Sequence, residues 1–217
     1  MIKSTLILCG LFGFALTACA ADVSSAVSDP LTNLTAHPFY VGVMTGYGNT
    51  DWSQLVAQDD AATYATPTSA TGNGGIIGAL VGYQITPYIA LEAQYIRYPD
   101  SSVTFSPSDF FYHDVEHMTS KTNYFALMPK ISAPFDHDHY TVFGTLGFAD
   151  VERSDPLAQT SNIRPTFGFG LSNIELTHWT FSIAFNYTPG TGVAAETTSD
   201  YYIPYIYSGQ LIVAYRI

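Results

Sequence analysis

His178-Trp-Thr-Phe-Ser-Ile-Ala-Phe-Asn-Tyr-Thr188 alternates without interruption. Trp179, Phe181, Ile183, Phe185 and Tyr187 fall on one side of an extended chain; Thr180, Ser182, Ala184 and Asn186 fall on the other. Side chains of a strand point to its two faces in turn, so this is a strand with one bulky apolar face and one small, polar face. A helix would scatter the same residues around its circumference.

Working outward from it, seven more runs of roughly 9–12 residues share the period of two. They are residues 39–48, 75–85, 88–98, 121–131, 140–149, 163–173 and 205–217. In the first, Phe39, Val41, Val43, Thr45 and Tyr47 oppose Tyr40, Gly42, Met44, Gly46 and Gly48. In the last, Leu211, Val213, Tyr215 and Ile217 oppose Gln210, Ile212, Ala214 and Arg216. Pro129 weakens the fourth, because proline cannot donate to a ladder. No stretch carries a sustained helical period.

The links alternate in length. Residues 49–74, 99–118, 150–162 and 189–204 are long and rich in Gly, Ser, Thr, Asp and Pro. The intervening links, Thr86-Pro87, Ser132 to His139 and the residues around Glu175, are short. This layout predicts an all-β fold: an eight-stranded antiparallel up-and-down transmembrane β-barrel with short periplasmic turns and four long extracellular loops.

The bulky face suits lipid and the small face a packed interior. Eight strands enclose room only for side chains, and interior Gly makes space for neighbours such as Met44, Tyr124 and Phe143. A closed barrel also satisfies every backbone hydrogen bond in the bilayer. Within the strands, Glu92, Lys130 and Arg216 all lie on the small-residue face. Glu92 and Lys130 sit near the turn ends of neighbouring strands, which predicts a buried pair, with Arg216 as a third member of the lumen charge network. Phe39, Tyr88, Trp179, Tyr205 and Tyr207 at strand ends suit interfacial girdles.

Composition agrees with such a wall. Of 217 residues, 12% are charged, 47% hydrophobic and 15% aromatic, which excludes a disordered chain and a coiled coil. A net charge of −11 argues against nucleic acid as a partner. Residues 1–20 read as a signal peptide: Lys3, then an apolar run from Leu6 to Leu16 too short to span a bilayer as a helix. Ala18-Cys19-Ala20 fits cleavage before Ala21, while Leu16-Thr-Ala-Cys19 resembles a lipobox and leaves lipidation at Cys19 as the alternative. Cys9 and Cys19 are the only cysteines, so the mature domain has no internal disulfide. Residues 21–36 read as a flexible lead and 37–217 as the barrel.

The chain resembles the eight-stranded outer-membrane barrels related to the OmpA transmembrane domain and to OmpX. The stretches that carry the likeness are Phe39-Tyr-Val-Gly-Val-Met-Thr-Gly-Tyr-Gly48, Val81-Gly-Tyr-Gln-Ile-Thr-Pro-Tyr-Ile-Ala-Leu-Glu-Ala-Gln-Tyr95 and Leu211-Ile-Val-Ala-Tyr-Arg-Ile217. The last is similar to the C-terminal signal read by the barrel-assembly machinery, with Ile217 where that signal usually ends in Phe. The resemblance implies a bacterial outer-membrane location and surrounding lipopolysaccharide as partner; the likeness to OmpA covers only its barrel, and the peptidoglycan-binding domain that follows there is expected to be missing. For function it implies a structural or surface-interaction role at the loops, with host or surface ligands as partners. A small pore for ions or solutes and a lipid A-modifying enzyme are the alternatives, and a soluble lipocalin-like carrier fits the outward aromatic face poorly.

Candidate sites outside this frame are few. His113-Asp-Val-Glu-His117 offers metal-ligating groups, with His113 and His117 as the candidate ligands, but an ordinary polar loop explains it as well. Asp136-His-Asp-His139 reads as a solvated turn. Phe105, Phe110, Phe111 and Tyr112, with Tyr201, Tyr202 and Tyr205, would extend the girdle or anchor a partner. No His-x-Ser segment suits an acyl-chain enzyme, so no catalytic residue is assigned, and no phosphate loop or cofactor motif is present.

Overall fold

The computed structural model describes residues 34–52, 67–105, 117–135, 139–156, 159–173, 178–190 and 202–217. Residues 1–20, expected to be a signal peptide, lie outside them. Ten strands are present among the described residues: β1 (Phe39–Asp51), β2 (Pro67–Thr71), β3 (Asn73–Thr86), β4 (Ile89–Arg97), β5 (Ser101–Phe105), β6 (His117–Phe135), β7 (Tyr140–Ser154), β8 (Gln159–Asn173), β9 (Trp179–Thr188) and β10 (Tyr205–Arg216).

Eight of them close into a barrel. Starting from β10, the neighbours run β1, β3, β4, β6, β7, β8 and β9, and β9 pairs back to β10, all antiparallel. The closing seam runs from Tyr40↔Arg216 to Asp51↔Tyr205. No barrel strand is left with an unpaired edge, the condition a strand must meet in hydrocarbon.

The side-chain alternation follows the barrel wall. Val43, Ile77, Leu146, Phe148, Phe169 and Ile183 are each more than 60% exposed, while Met44, Ile76, Ile96, Tyr124, Met128 and Phe143 are buried inside. A wall this greasy is unstable in water and stable in lipid. Aromatic rings frame it at both ends. Phe39–Tyr83, Trp179–Tyr215 and Phe135–Tyr140 meet at the turn end; Phe167–Tyr187 and Tyr187–Tyr205 meet toward the loops. Phe39 and Tyr47 lie on the same face of β1, a spacing that spans roughly 20 Å of barrel height at ordinary strand tilt and rise.

The interior is filled by large residues set against glycine. A Cβ on Gly82 would fall 2.1 Å from Tyr40 Cζ, one on Gly78 2.9 Å from Met44 Cγ, and one on Gly170 2.6 Å from Phe143 Cζ. These glycines make room for rings and a thioether and leave no channel at their positions.

Three expectations need correction, and the expected fourth strand keeps its proline. The third link is not a long loop over 150–162: β7 and β8 pair out to Ser154↔Gln159, leaving 155–158 as the connection. Its polar residues read as loop because alternation of hydrophobicity is not required once a hairpin rises above the lipid. Next, β2 and β5 are strands within the first two long links; β2 pairs with β5, and β5 with the start of β6. Their Ser and Thr content suits pairing in water and gives no apolar alternation. Pro129 stays within β6: it pairs with Leu91 of β4, while the β7 ladder skips Met128 and Pro129 and resumes in the same register. The missing N–H costs one rung, and the strand continues. Finally, the last residues of the lead, 34–36, form a helical turn whose Leu34 is buried at the turn end of the barrel. This part is seated and not free.

The wall makes a direct prediction. Val43 sits midway between the two aromatic belts and faces outward at 65% exposure. Val43→Arg should cost about 2–4 kcal/mol, the price of a cation at the bilayer midplane. The unfolding midpoint of the barrel refolded into lipid vesicles measures this, and a change below about 1 kcal/mol would place Val43 away from lipid.

Candidate functional site

The lumen is organised in three levels: a charged turn end, a close-packed middle and a capped loop end. At the turn end, one ladder row places Arg216 beside Tyr40, Tyr40 beside Gly82, and Gly82 beside Glu92. Gly82 carries no side chain, so the Tyr40 ring passes over it. Tyr40 Oη donates to Glu92 Oε1 at 2.8 Å.

Lys130 lies diagonally across from Glu92, since Glu92 pairs with Met128 and Ala90 with Lys130. Its Nζ donates to the same Oε1 at 3.0 Å and sits 4.1 Å from the centre of the Phe143 ring. Gln94 Nε2 donates to Glu92 Oε2 at 3.2 Å, and Asn186 Nδ2 crosses the lumen to Gln94 Oε1 at 3.4 Å. Glu92 is 3% exposed, so these donors replace the hydration that burial removes.

Arg216 lines the same cavity as Glu92 and Lys130 but makes no hydrogen bond to the carboxylate. Its guanidinium lies 4.9 Å from the centre of the Tyr40 ring, and its Nε donates to Thr180 Oγ1 at 3.3 Å. The two cations therefore flank the carboxylate differently, one by direct contact and one through the tyrosine. Tyr40, Gln94, Thr180 and Asn186 are members that sequence reasoning missed. All four lie at inward-facing positions of the period-two pattern, which was the available signal.

The middle level is close-packed, with buried Asn186 and Gln210 among large apolar side chains. Met44, Ile96, Tyr98, Tyr124 and Met128 are each 2% exposed or less. Tyr98 and Tyr124 meet edge to face at 6.1 Å, and their hydroxyls bond to Ser208 and Thr166.

At the loop end, Arg153 is fully buried. Its Nε bonds to Asp155 Oδ2, its Nη1 donates to the Tyr202 carbonyl at 2.8 Å, and its guanidinium stacks 4.8 Å from the Trp52 ring centre. Trp52 and Tyr202 rings lie 5.4 Å apart. Arg164 adds donation to the carbonyls of Pro189 and Gly190 at 3.2 and 2.6 Å. Tyr202 is thus a cap for the barrel mouth, where sequence reasoning had placed it in a girdle or at a partner surface. Tyr205 does stand in the loop-end girdle.

Of the candidate metal ligands, His117 opens β6 on its exposed face, with Nδ1 3.1 Å from Thr104 Oγ1. His113 lies outside the described residues, as do Asp136, His137, Phe110, Phe111, Tyr112 and Tyr201. Among the described residues no three His, Cys, Asp or Glu groups gather to hold a metal ion. His178 lies at the turn end, its ring 4.8 Å from that of His37 and its Nδ1 3.3 Å from the Arg216 carbonyl oxygen.

No protein-family model matches the chain, and no curated protein matches it. Solved structures do. The outer membrane protein OprG of Pseudomonas aeruginosa superposes with a TM-score of 0.53 at 12% identity, over 83% of this chain and 97% of that one. The N-terminal β-barrel domain of Pseudomonas aeruginosa OprF gives 0.46 at 13% identity, over 82% and 97%. The attachment invasion locus protein Ail of Yersinia pestis gives 0.41 at 10% identity, over 83% and 99%. At these identities the likeness is one of fold. The fold is the eight-stranded antiparallel barrel of outer-membrane proteins.

The charged level is open to a paired test. Glu92→Leu strands Lys130 in a buried site and should cost about 3–5 kcal/mol; Glu92→Leu with Lys130→Met should fall well short of the sum of the two single changes. Urea unfolding of the four proteins gives the cycle. Gly82→Leu should likewise expel the Tyr40 ring and cost about 1–3 kcal/mol. In that background Tyr40→Phe should have no further effect, whereas additive losses would show that the hydroxyl bond survives.

Proposed function

We infer that this protein is an integral outer-membrane barrel that acts through its outer wall and its loops, as a structural or surface-interaction protein, and not through its lumen. One observation carries the reading: the close-packed middle level closes the cylinder between a charged turn end and a capped loop end. A water-filled path would need open cross-section. Here the inward glycines lie under neighbouring side chains and the largest interior residues are fully buried.

The remainder follows from that location. The signal at 1–20 would direct export, the strand ending in Leu211 to Ile217 would present itself to the barrel-assembly machinery, and lipopolysaccharide would surround the outward Phe, Ile, Leu and Tyr side chains. Host or surface ligands would meet the connections at the loop end. The two rivals are a small pore and an enzyme acting on lipid A.

Single-channel recording of the refolded barrel in planar bilayers separates the readings. The expected result is no discrete conductance; reproducible steps of one size would overturn the closed lumen. Protease treatment of intact cells should cut within 53–66, 106–116 and 191–201 and spare 136–138 and 174–177. Cleavage of the short turns from outside would invert the topology. Lipid A mass spectra should be identical with and without the protein.

A further inference from the structure

The turn end of the lumen holds two small cavities of about 20 Å³ each, room for one water-sized guest. Arg216, Lys130 and Thr180 line both. We propose that the outer of the two, beside Leu34 and Ser132 and without a carboxylate in its lining, is a binding site for a small monovalent anion of chloride size.

The argument begins with charge. Among the described residues, the turn end of the lumen carries two cations, Lys130 and Arg216, and one carboxylate, Glu92. That carboxylate is already engaged: Oε1 accepts from Tyr40 and Lys130, and Oε2 accepts from Gln94. Arg216 receives no direct share of it. Two cations against one carboxylate leave an excess positive charge, which a low-dielectric interior disfavours, and a water molecule supplies a lone pair without cancelling it.

Hydrogen bonding points the same way. Arg216 is 6% exposed, and its Nη1 is buried without an acceptor among the described residues. Its Nε is used on Thr180 Oγ1, so the hydroxyl of Thr180 has its own proton left to donate. Lys130 gives one N–H to Glu92 and lies over Phe143, with donor capacity remaining. Ser172, which shares a hydrogen bond with Ser182, lines the outer cavity with Ser132 and Thr141. A guanidinium, an ammonium and hydroxyls thus surround one water-sized space beside the Gln84 amide, and no carboxylate lines it; Glu92 borders the inner cavity instead. Leu34 lines the outer cavity as well. A monatomic anion fits this space and charge; a phosphate or an organic acid is too large for it.

The test uses the full barrel refolded in zwitterionic detergent. Its thermal unfolding midpoint is followed while sodium chloride or bromide replaces sodium gluconate at constant ionic strength, gluconate being too bulky to enter. The expected result is a midpoint that climbs with halide and levels off, with the halide-dependent rise lost in Arg216→Gln and reduced in Lys130→Gln. Equal midpoints in halide and gluconate, or an undiminished rise in Arg216→Gln, would overturn the proposal. Should the Arg216 variant fail to refold, crystals of the unaltered barrel grown in bromide decide. An anomalous peak beside the Arg216 guanidinium supports the site, and water alone in that cavity rules it out.

Discussion

Hydrocarbon offers the peptide backbone no hydrogen-bond partner, and the rest of this molecule follows from that constraint. A strand in the bilayer must have a neighbour on both sides, so the sheet closes and β1 meets β10. Closure then divides every strand between two solvents. Outward positions meet acyl chains and carry Phe, Val, Ile, Leu and Tyr. Inward positions meet only one another, and their sizes must sum to the cross-section of a narrow cylinder.

That steric limit explains the composition of the lumen. A ring or thioether from one strand needs an absent side chain on the next, which is what Gly82 supplies to Tyr40, Gly78 to Met44 and Gly170 to Phe143. The same gap has an electrostatic use. Because Gly82 stands between Tyr40 and Glu92, a phenol from β1 reaches a carboxylate on β4 across an intervening strand. Lys130 reaches it from the other side. Glu92 is thereby held by donors on three sides, while Arg216 is left to the face of the Tyr40 ring.

Much of this was legible from residue order, but unevenly. The eight barrel strands and the identity of their faces could be read because the lipid enforces alternation residue by residue. Glu92 and Lys130 could be matched because inward parity and distance from a short turn are both local properties. Arg216 shares their face and end, yet its partner is set by which residue stands beside it in the seam, Tyr40, and that depends on the β1–β10 register. Above the lipid the signal fades. The polar extensions of β7 and β8, and the strands β2 and β5, pair by backbone bonding in water, where Ser, Thr and Asp serve as well as apolar residues. Tyr202 could not be assigned to the cap, since Arg153 and Trp52 reach it from distant parts of the chain.

By itself, then, the order of residues determined a transmembrane β-barrel, the number of strands that form its wall, and which side chains face lipid. These are consequences of a two-residue period read against two environments, and they need no knowledge of what packs against what. Only the tertiary structure decided that the cylinder is blocked by Met44, Ile96, Tyr98, Tyr124 and Met128, that its mouth is closed by Tyr202 and Arg153, and that Arg216 stands apart from Glu92. Each of those depends on strand register and on contacts between residues far apart in the chain, and closing the barrel is what brings them together.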